Sequence, residues 1–135
     1  MNEFAGKRFF LTGGASGIGR ASAAHLAANG ARVGIFDASG PNVEAVRAEL
    51  SSRGAEVLAT SGDVRDRGAL AQAIDATVDR WGGLDGLVCA AGILRSGRLA
   101  TLSADAWDEV MDVNVKGVLF ACQEALRVIL AAGWK

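Results

Sequence analysis

Short apolar runs alternate with helix-like segments along this chain, and that alternation constrains the fold more than any other feature. Arg8–Thr12, Arg32–Asp37, Glu56–Thr60 and Leu84–Cys89 each read as a buried strand. Between the first two, Ile18 to Asn29 is rich in alanine, with Ile18, Ala21 and Leu26 at helical spacing and Gly30 as the stop. Pro41 suits the first turn of a second helix, whose apolar face is Val43, Val46 and Leu50 and which ends by Gly54. Asp66 caps a third helix carrying Leu70, Ile74, Val78 and Trp81, closed by Gly82-Gly83. Ser103 caps a long fourth helix, Ala104 to about Ala132, which extends roughly 40 Å at ~1.5 Å per residue. Strict alternation dictates a parallel sheet with right-handed crossovers. The expectation is one three-layer α/β domain, residues 1–135, with four strands present.

Composition removes several functional classes. Half of the chain is hydrophobic and 21% is charged, which excludes bulk disorder. Lys plus Arg number 14 against 15 acids, and the basic residues are scattered, so there is no nucleic-acid footprint. Arg95 and Arg98 are the nearest approach to a basic cluster. The amino-terminal Met1–Lys7 carries an acid where a secretory signal needs positive charge. The longest apolar stretches are broken by Lys116, Glu124 and Arg127, short of a membrane span. Cys89 and Cys122 lie far apart in the chain, in apolar surroundings, and read as reduced thiols of a cytoplasmic protein. One histidine and two dispersed cysteines assemble no metal site. The single histidine, His25, reads as a surface or helix-packing residue.

The glycines are concentrated where chemistry is expected. Thr12-Gly13-Gly14-Ala15-Ser16-Gly17-Ile18-Gly19 joins the first strand to the first helix. Glycine there lets the backbone turn tightly and approach a pyrophosphate, while the helix N-terminus offers unpaired N–H groups and a positive dipole end. Asp37 closes the second strand, 18 residues after Gly19. An acid at that place accepts both hydroxyls of an adenosine ribose. A phosphate loop of the Gly-Lys-Ser/Thr kind is excluded, because Arg20-Ala21 follows Gly19.

These residues resemble the short-chain dehydrogenases/reductases, over Lys7 to Gly133. The loop matches that family's TGxxxGxG, and Asp37, with Ala38-Ser39 beside it, matches its NAD-selecting acid. Asp63-Val64 resembles the Asp-Val that holds adenine after the third strand. Cys89-Ala90-Ala91-Gly92 stands at the family's Asn-Asn-Ala-Gly, without either asparagine. Asp112-Val113-Asn114-Val115-Lys116-Gly117 resembles the long-helix segment whose asparagine belongs to the catalytic tetrad. The resemblance implies a Rossmann-type fold lacking its later strands and an NAD cofactor. It implies cofactor contacts from Gly13, Ser16, Gly17, Ile18, Gly19, Asp37, Asp63, Val64, Ala91 and Gly92. Asn114 is the catalytic residue it assigns, bending the long helix and holding a water in a proton relay.

The implied activity is hydride transfer between a nicotinamide and a small alcohol or carbonyl substrate. The family's serine and Tyr-x-x-x-Lys lie beyond a fifth strand, whereas this sequence has no tyrosine, and neither Lys116 nor Lys135 sits in that motif. Taken alone the chain is therefore expected to be inactive. Three readings stay open: the cofactor-binding part of an oxidoreductase, a stand-alone NAD-binding module, and a dimerising scaffold. The long helix is apolar on two faces: Val110, Val118, Cys122 and Ile129 on one, Val115, Leu119, Leu126 and Leu130 on the other. Two apolar faces expect two packing partners, and a homo-oligomer through residues 104–132 follows as an expectation. The strand Leu84–Cys89 is expected to leave a bare sheet edge, with only Asp85 to protect it.

Overall fold

Phe10 and Leu11, adjacent in the first strand and both buried, belong to two different cores. Successive strand side chains point to opposite faces, so the two inner strands, covered on both sides, bury Phe10–Thr12 and Val33–Phe36. The computed structural model describes residues 2–133; Met1 and Lys135 of the readings above lie outside them. The strands are β1 (Arg8–Thr12), β2 (Arg32–Asp37), β3 (Val57–Ser61) and β4 (Gly86–Cys89), all parallel, in the order β3-β2-β1-β4. Helices α1 (Gly17–Ala28) and α2 (Gly40–Ser52) cover one face, where Leu11, Val33 and Ile35 meet Ala23, Leu26, Val43, Val46 and Leu50. On the other face Phe10 and Phe36 meet Leu70, Ala73 and Ile74 of α3 (Arg67–Trp81) and Ala121 and Ala125 of α5 (Gly117–Ala131). This is the expected three-layer Rossmann-type arrangement.

Local chemistry explains the element ends. Asp66 and Ser103 accept hydrogen bonds from the Ala69 and Ala106 amides, as their positions predict, and Ser39 does the same for Asn42. Gly30 and Gly82 end α1 and α3 in left-handed conformations, with φ of 87° and 79°. Two strands differ in extent from the expectation. β3 runs from Val57 to Ser61 rather than Glu56 to Thr60, and β4 begins at Gly86 rather than Leu84. Glu56 instead turns its carboxylate to Arg32 and to the Trp81 indole. Asp85 takes the Arg8 amide at 2.9 Å and the Arg8 Nε and Nη2 at 2.7 and 3.0 Å. That fork ties the start of β4 to β1 without extending the strand.

The larger correction concerns the long helix, which is not continuous. Helix α4 (Ala104–Met111) passes into a π turn over Asp112–Lys116 before α5 begins. The Asn114 amide leaves the helix surface and bonds to the backbone of Ile93: Oδ1 accepts from N at 2.8 Å, and Nδ2 donates to O at 2.8 Å. An i→i+5 turn admits one extra residue per cycle, which accommodates this side chain. Gly117 follows, and a Cβ there would lie 2.6 Å from Val64 Cγ2. The glycine lets α5 come down onto the segment after β3.

The two-faced reading of this region holds. Val110, Val118, Cys122 and Ile129 are partly buried, whereas Val115, Leu119, Leu126 and Leu130 are each 50–59% exposed. β4 is an outer strand of the sheet, as expected. His25 is exposed and stands edge-on to the Phe4 ring. The fold brings together the two cysteines: the Cys122 thiol faces Cys89, and burial, reinforced by Cys122, pushes the Cys89 thiol up to about 11. At that value fewer than about one Cys89 in a thousand is thiolate at neutral pH, so it is a poor nucleophile.

Glu124, read from sequence as an interruption of an apolar run, is in fact buried at 5% exposure. It accepts Arg67 Nε at 2.8 Å and Arg127 Nε at 2.6 Å, and Arg127 continues to Asp75 at 2.8 Å. Arg67 also lies over the Phe120 ring. The network clamps α3 to α5. Hydrogen bonds from Arg67 and then Arg127 hold the Glu124 carboxyl below its ordinary range. Its stabilisation is therefore present above that range and is lost as pH falls through the lowered value. Glu124→Ala, which takes away the carboxylate of Arg67 and one of the two on Arg127, is expected to cost about 1–3 kcal/mol at pH 7. In urea titrations the gap between wild type and Glu124→Gln should narrow as pH falls below the ordinary carboxylate range; an unchanged gap would contradict the assignment.

Candidate cofactor cleft

The order β3-β2-β1-β4 reverses direction between β1 and β4. In open parallel sheets, ligands bind outside the carboxyl ends of the strands at such a reversal. A cleft of about 220 Å³ lies there, and every strand contributes the residues that follow its end: Gly13 after β1, Asp37 and Ala38 at β2, Gly62 to Arg65 after β3, and Ala90 to Ile93 after β4.

Its floor has no room for side chains. Gly13 has φ 65°, and a Cβ there would sit 2.4 Å from the Ala91 amide nitrogen. Gly19 lies beneath it, where a Cβ would come within 2.0 Å of the Gly13 carbonyl oxygen. A Cβ on Gly62 would meet the Phe36 ring at 2.4 Å. Gly17 differs: its φ is 51°, but the space around it is open. Ser16 precedes α1 in an extended conformation, and its side chain makes no capping bond. Ser16 lines the cleft beside the first turn of the helix. Ile18, in that turn, is 82% exposed.

Of the residues singled out from the sequence, Gly13, Ser16, Asp37, Asp63, Val64, Ala91 and Gly92 line the cleft. Gly17, Ile18 and Gly19 form the start of α1 rather than the cleft wall. Asn114 stands behind the wall, holding Ile93, and Gly92 lies against it, a Cβ there falling 3.3 Å from Asn114 Oδ1.

The carboxylates are held in two different ways. Asp37 is fixed by backbone alone, Oδ2 accepting from the Ala15 amide at 3.1 Å and Oδ1 from the Ser39 amide at 3.0 Å. Each oxygen keeps an acceptor position open. Asp63 and Glu109 are instead paired with arginines, Arg65 and Arg95 respectively. Sequence reasoning missed Arg65 and Glu109 as cleft residues. The signal for Arg65 was its place two residues after Asp63; Glu109 had none, because its helix meets the cleft only through tertiary packing. Lys116 pairs with Asp112 at 2.6 Å on the surface. Among the described residues no group of His, Cys, Asp and Glu is arranged to hold a metal ion, and no helix is long and apolar enough to cross a membrane.

An open parallel sheet whose glycine turn and acid-tipped second strand meet at the strand-order reversal defines the dinucleotide-binding class of α/β protein. Comparison with known proteins gives the family. The family model described as short chain dehydrogenase matches residues 7–134, and the chain belongs to that family. It is 34% identical over 134 residues to levodione reductase of Leifsonia aquatica, covering 97% of this chain and 50% of that protein. Sorbitol dehydrogenase of Cereibacter sphaeroides is 35% identical over 128 residues, covering 95% and 49%. A short-chain dehydrogenase/reductase from Serratia marcescens superposes with a TM-score of 0.88 at 40% identity, covering 93% of this chain and 51% of that one. The chain thus spans about half the length of these relatives.

Proposed function

We propose that the cleft binds NAD, and that the chain is the dinucleotide-binding part of an oxidoreductase exchanging hydride between nicotinamide and a small alcohol or carbonyl compound. The observation that carries this reading is Asp37: among the carboxylates lining the cleft it alone is held by amides only. Its two open acceptor positions suit the paired hydroxyls of a ribose. The residues present fit the cofactor. Gly13 and Gly19 leave backbone where any Cβ would intrude, and Ser16, Gly17 and Ile18 supply the helix start for a pyrophosphate. Asp63, Val64, Ala91 and Gly92 border the remaining wall. Hydride transfer is the chemistry that a bound nicotinamide supplies.

Within this reading Asn114 is the asparagine of the family's catalytic tetrad, and it acts through the Ile93 backbone that it holds. Proton transfer needs an acid–base group, worth about 10²–10⁴ in rate, and the sequence contains no tyrosine to provide the family's usual one. The chain taken alone is therefore a cofactor binder without turnover. The setting is the cytoplasm, which two free cysteines suit. Calorimetric titration with NAD and ADP-ribose tests the proposal. Binding of both, abolished together by Gly13→Val, is the expected result; no binding of either ligand would refute it.

The reading includes self-association. Val115, Leu119, Leu126 and Leu130 form an exposed apolar row, and burying such side chains is worth about 1.5–3 kcal/mol each. A helix-against-helix homo-oligomer should appear in light scattering across a concentration series. Leu119→Glu should shift it to monomer. A wild-type monomer at tens of micromolar would contradict this part alone.

A further inference from the structure

We propose that Arg65 competes with the purine base of the bound nucleotide for Asp63, and so sets how strongly the cleft prefers a base bearing an exocyclic amine. The proposal rests on the NAD reading of the cleft. β3 lies next outward from β2 in the sheet, with Asp37 in register with Ser61. A nucleoside whose ribose engages Asp37 therefore extends its base toward the residues that follow Ser61, among them Asp63. A carboxylate accepts hydrogen bonds only, and the complementary group on adenine is its 6-amino group.

Asp63 is already engaged. Its Oδ1 accepts the Arg65 amide at 2.9 Å, Arg65 Nε lies 3.0 Å from both oxygens, and Nη2 donates to Oδ2 at 2.6 Å. An ionised carboxylate has about four lone-pair positions, and Arg65 brings three N–H groups to them, its Nε–H shared between the two oxygens. Hydrogen bonding from the Arg65 side chain holds the Asp63 carboxyl below its ordinary range. It therefore remains charged at neutral pH and does not become a donor. Glu109 is occupied in the same manner by the Arg95 fork, at 2.9 and 2.7 Å. The amide-held Asp37 has no such competitor. An amine reaching Asp63 must share the carboxylate with the Arg65 fork.

The size of the competition follows from exposure. The Asp63 and Arg65 side chains are 42% and 46% exposed, and an ion pair that open to water shifts an equilibrium by only about 1.4- to 5-fold. The fork weakens amine recognition without preventing it. The test compares NAD with nicotinamide hypoxanthine dinucleotide, which carries the same charge and lacks the amine, by calorimetry on the full-length protein. Using the ratio of the two affinities cancels any general attraction of Arg65 for phosphate. Arg65→Ala should raise the preference for NAD by about two- to fivefold. Adding Asp63→Asn to Arg65→Ala should remove most of that gain, because the charged acceptor is then gone. An unchanged or lowered ratio in Arg65→Ala, with both dinucleotides still bound, overturns this proposal alone. Failure of the wild type to bind either dinucleotide overturns it together with the NAD reading.

Discussion

Gly19→Ala is expected to reduce NAD and ADP-ribose binding by more than about 100-fold, the loss of roughly 3 kcal/mol. Its Cβ would stand 2.0 Å from the Gly13 carbonyl oxygen, and backbone, unlike a flexible side chain, cannot swing aside. Relief requires the glycine turn, which is itself packed against Ala91, to move. Overpacking of this kind also costs about 1–3 kcal/mol of stability, visible as a lower urea midpoint. Gly17→Ala is the informative companion. It faces open space at φ 51°, so it bears only the left-handed strain of a non-glycine residue, about 1–2 kcal/mol. If the two variants bind equally well, steric closure at Gly19 is not what shapes the site.

Asp37→Ala should weaken NAD binding by about tenfold or more and should erase most of the discrimination against NADP. The carboxylate has its Oδ atoms on the Ala15 and Ser39 amides, and a hydrogen bond to a charged group is worth about 1.5–3 kcal/mol. A 2′-phosphate brought against it meets like charge at a cost of several kcal/mol, with Ala38 and Ser39 offering no compensating cation. Wild type should therefore favour NAD by about 100-fold. Calorimetry with both cofactors measures the two effects separately. Equal or tighter binding of NADP by wild type would overturn the assignment. Asp37→Asn keeps one acceptor oxygen without the charge and should fall between.

Much of the architecture was legible because its causes are local. Asp66 and Ser103 announce helix starts through side chains that reach only three residues ahead. The apolar run of β2 and the spacing of Val43, Val46 and Leu50 report burial directly. The glycine turn was legible for the same reason, since its four glycines stand within seven consecutive residues. What escaped depends on partners distant in sequence. The π turn leaves no mark on hydrophobic period, and its cause, the bond from Asn114 to Ile93, spans 21 residues. Glu124 interrupts an apolar pattern as any surface glutamate does. Its burial becomes intelligible only when Arg67, 57 residues away, arrives beside it. The arginine fork on Glu109 belongs to the same class, with Arg95 14 residues away: charge pairing chooses among many surface geometries and writes no periodic signature.

The two cores are completed at different moments of biosynthesis. On the α1/α2 face, the buried cluster runs from Leu11 to Leu50, and nearly everything packed on it lies before Val57 and Ala59. That face closes as soon as β3 has left the ribosome. The opposite face receives Leu70, Ala73 and Ile74 of α3 soon afterwards but is completed only when Ala121 and Ala125 of α5 emerge. At about 5–20 residues per second, the interval is on the order of ten seconds. Through that interval the nascent protein is a sheet finished on one side and only partly covered, by α3, on the other.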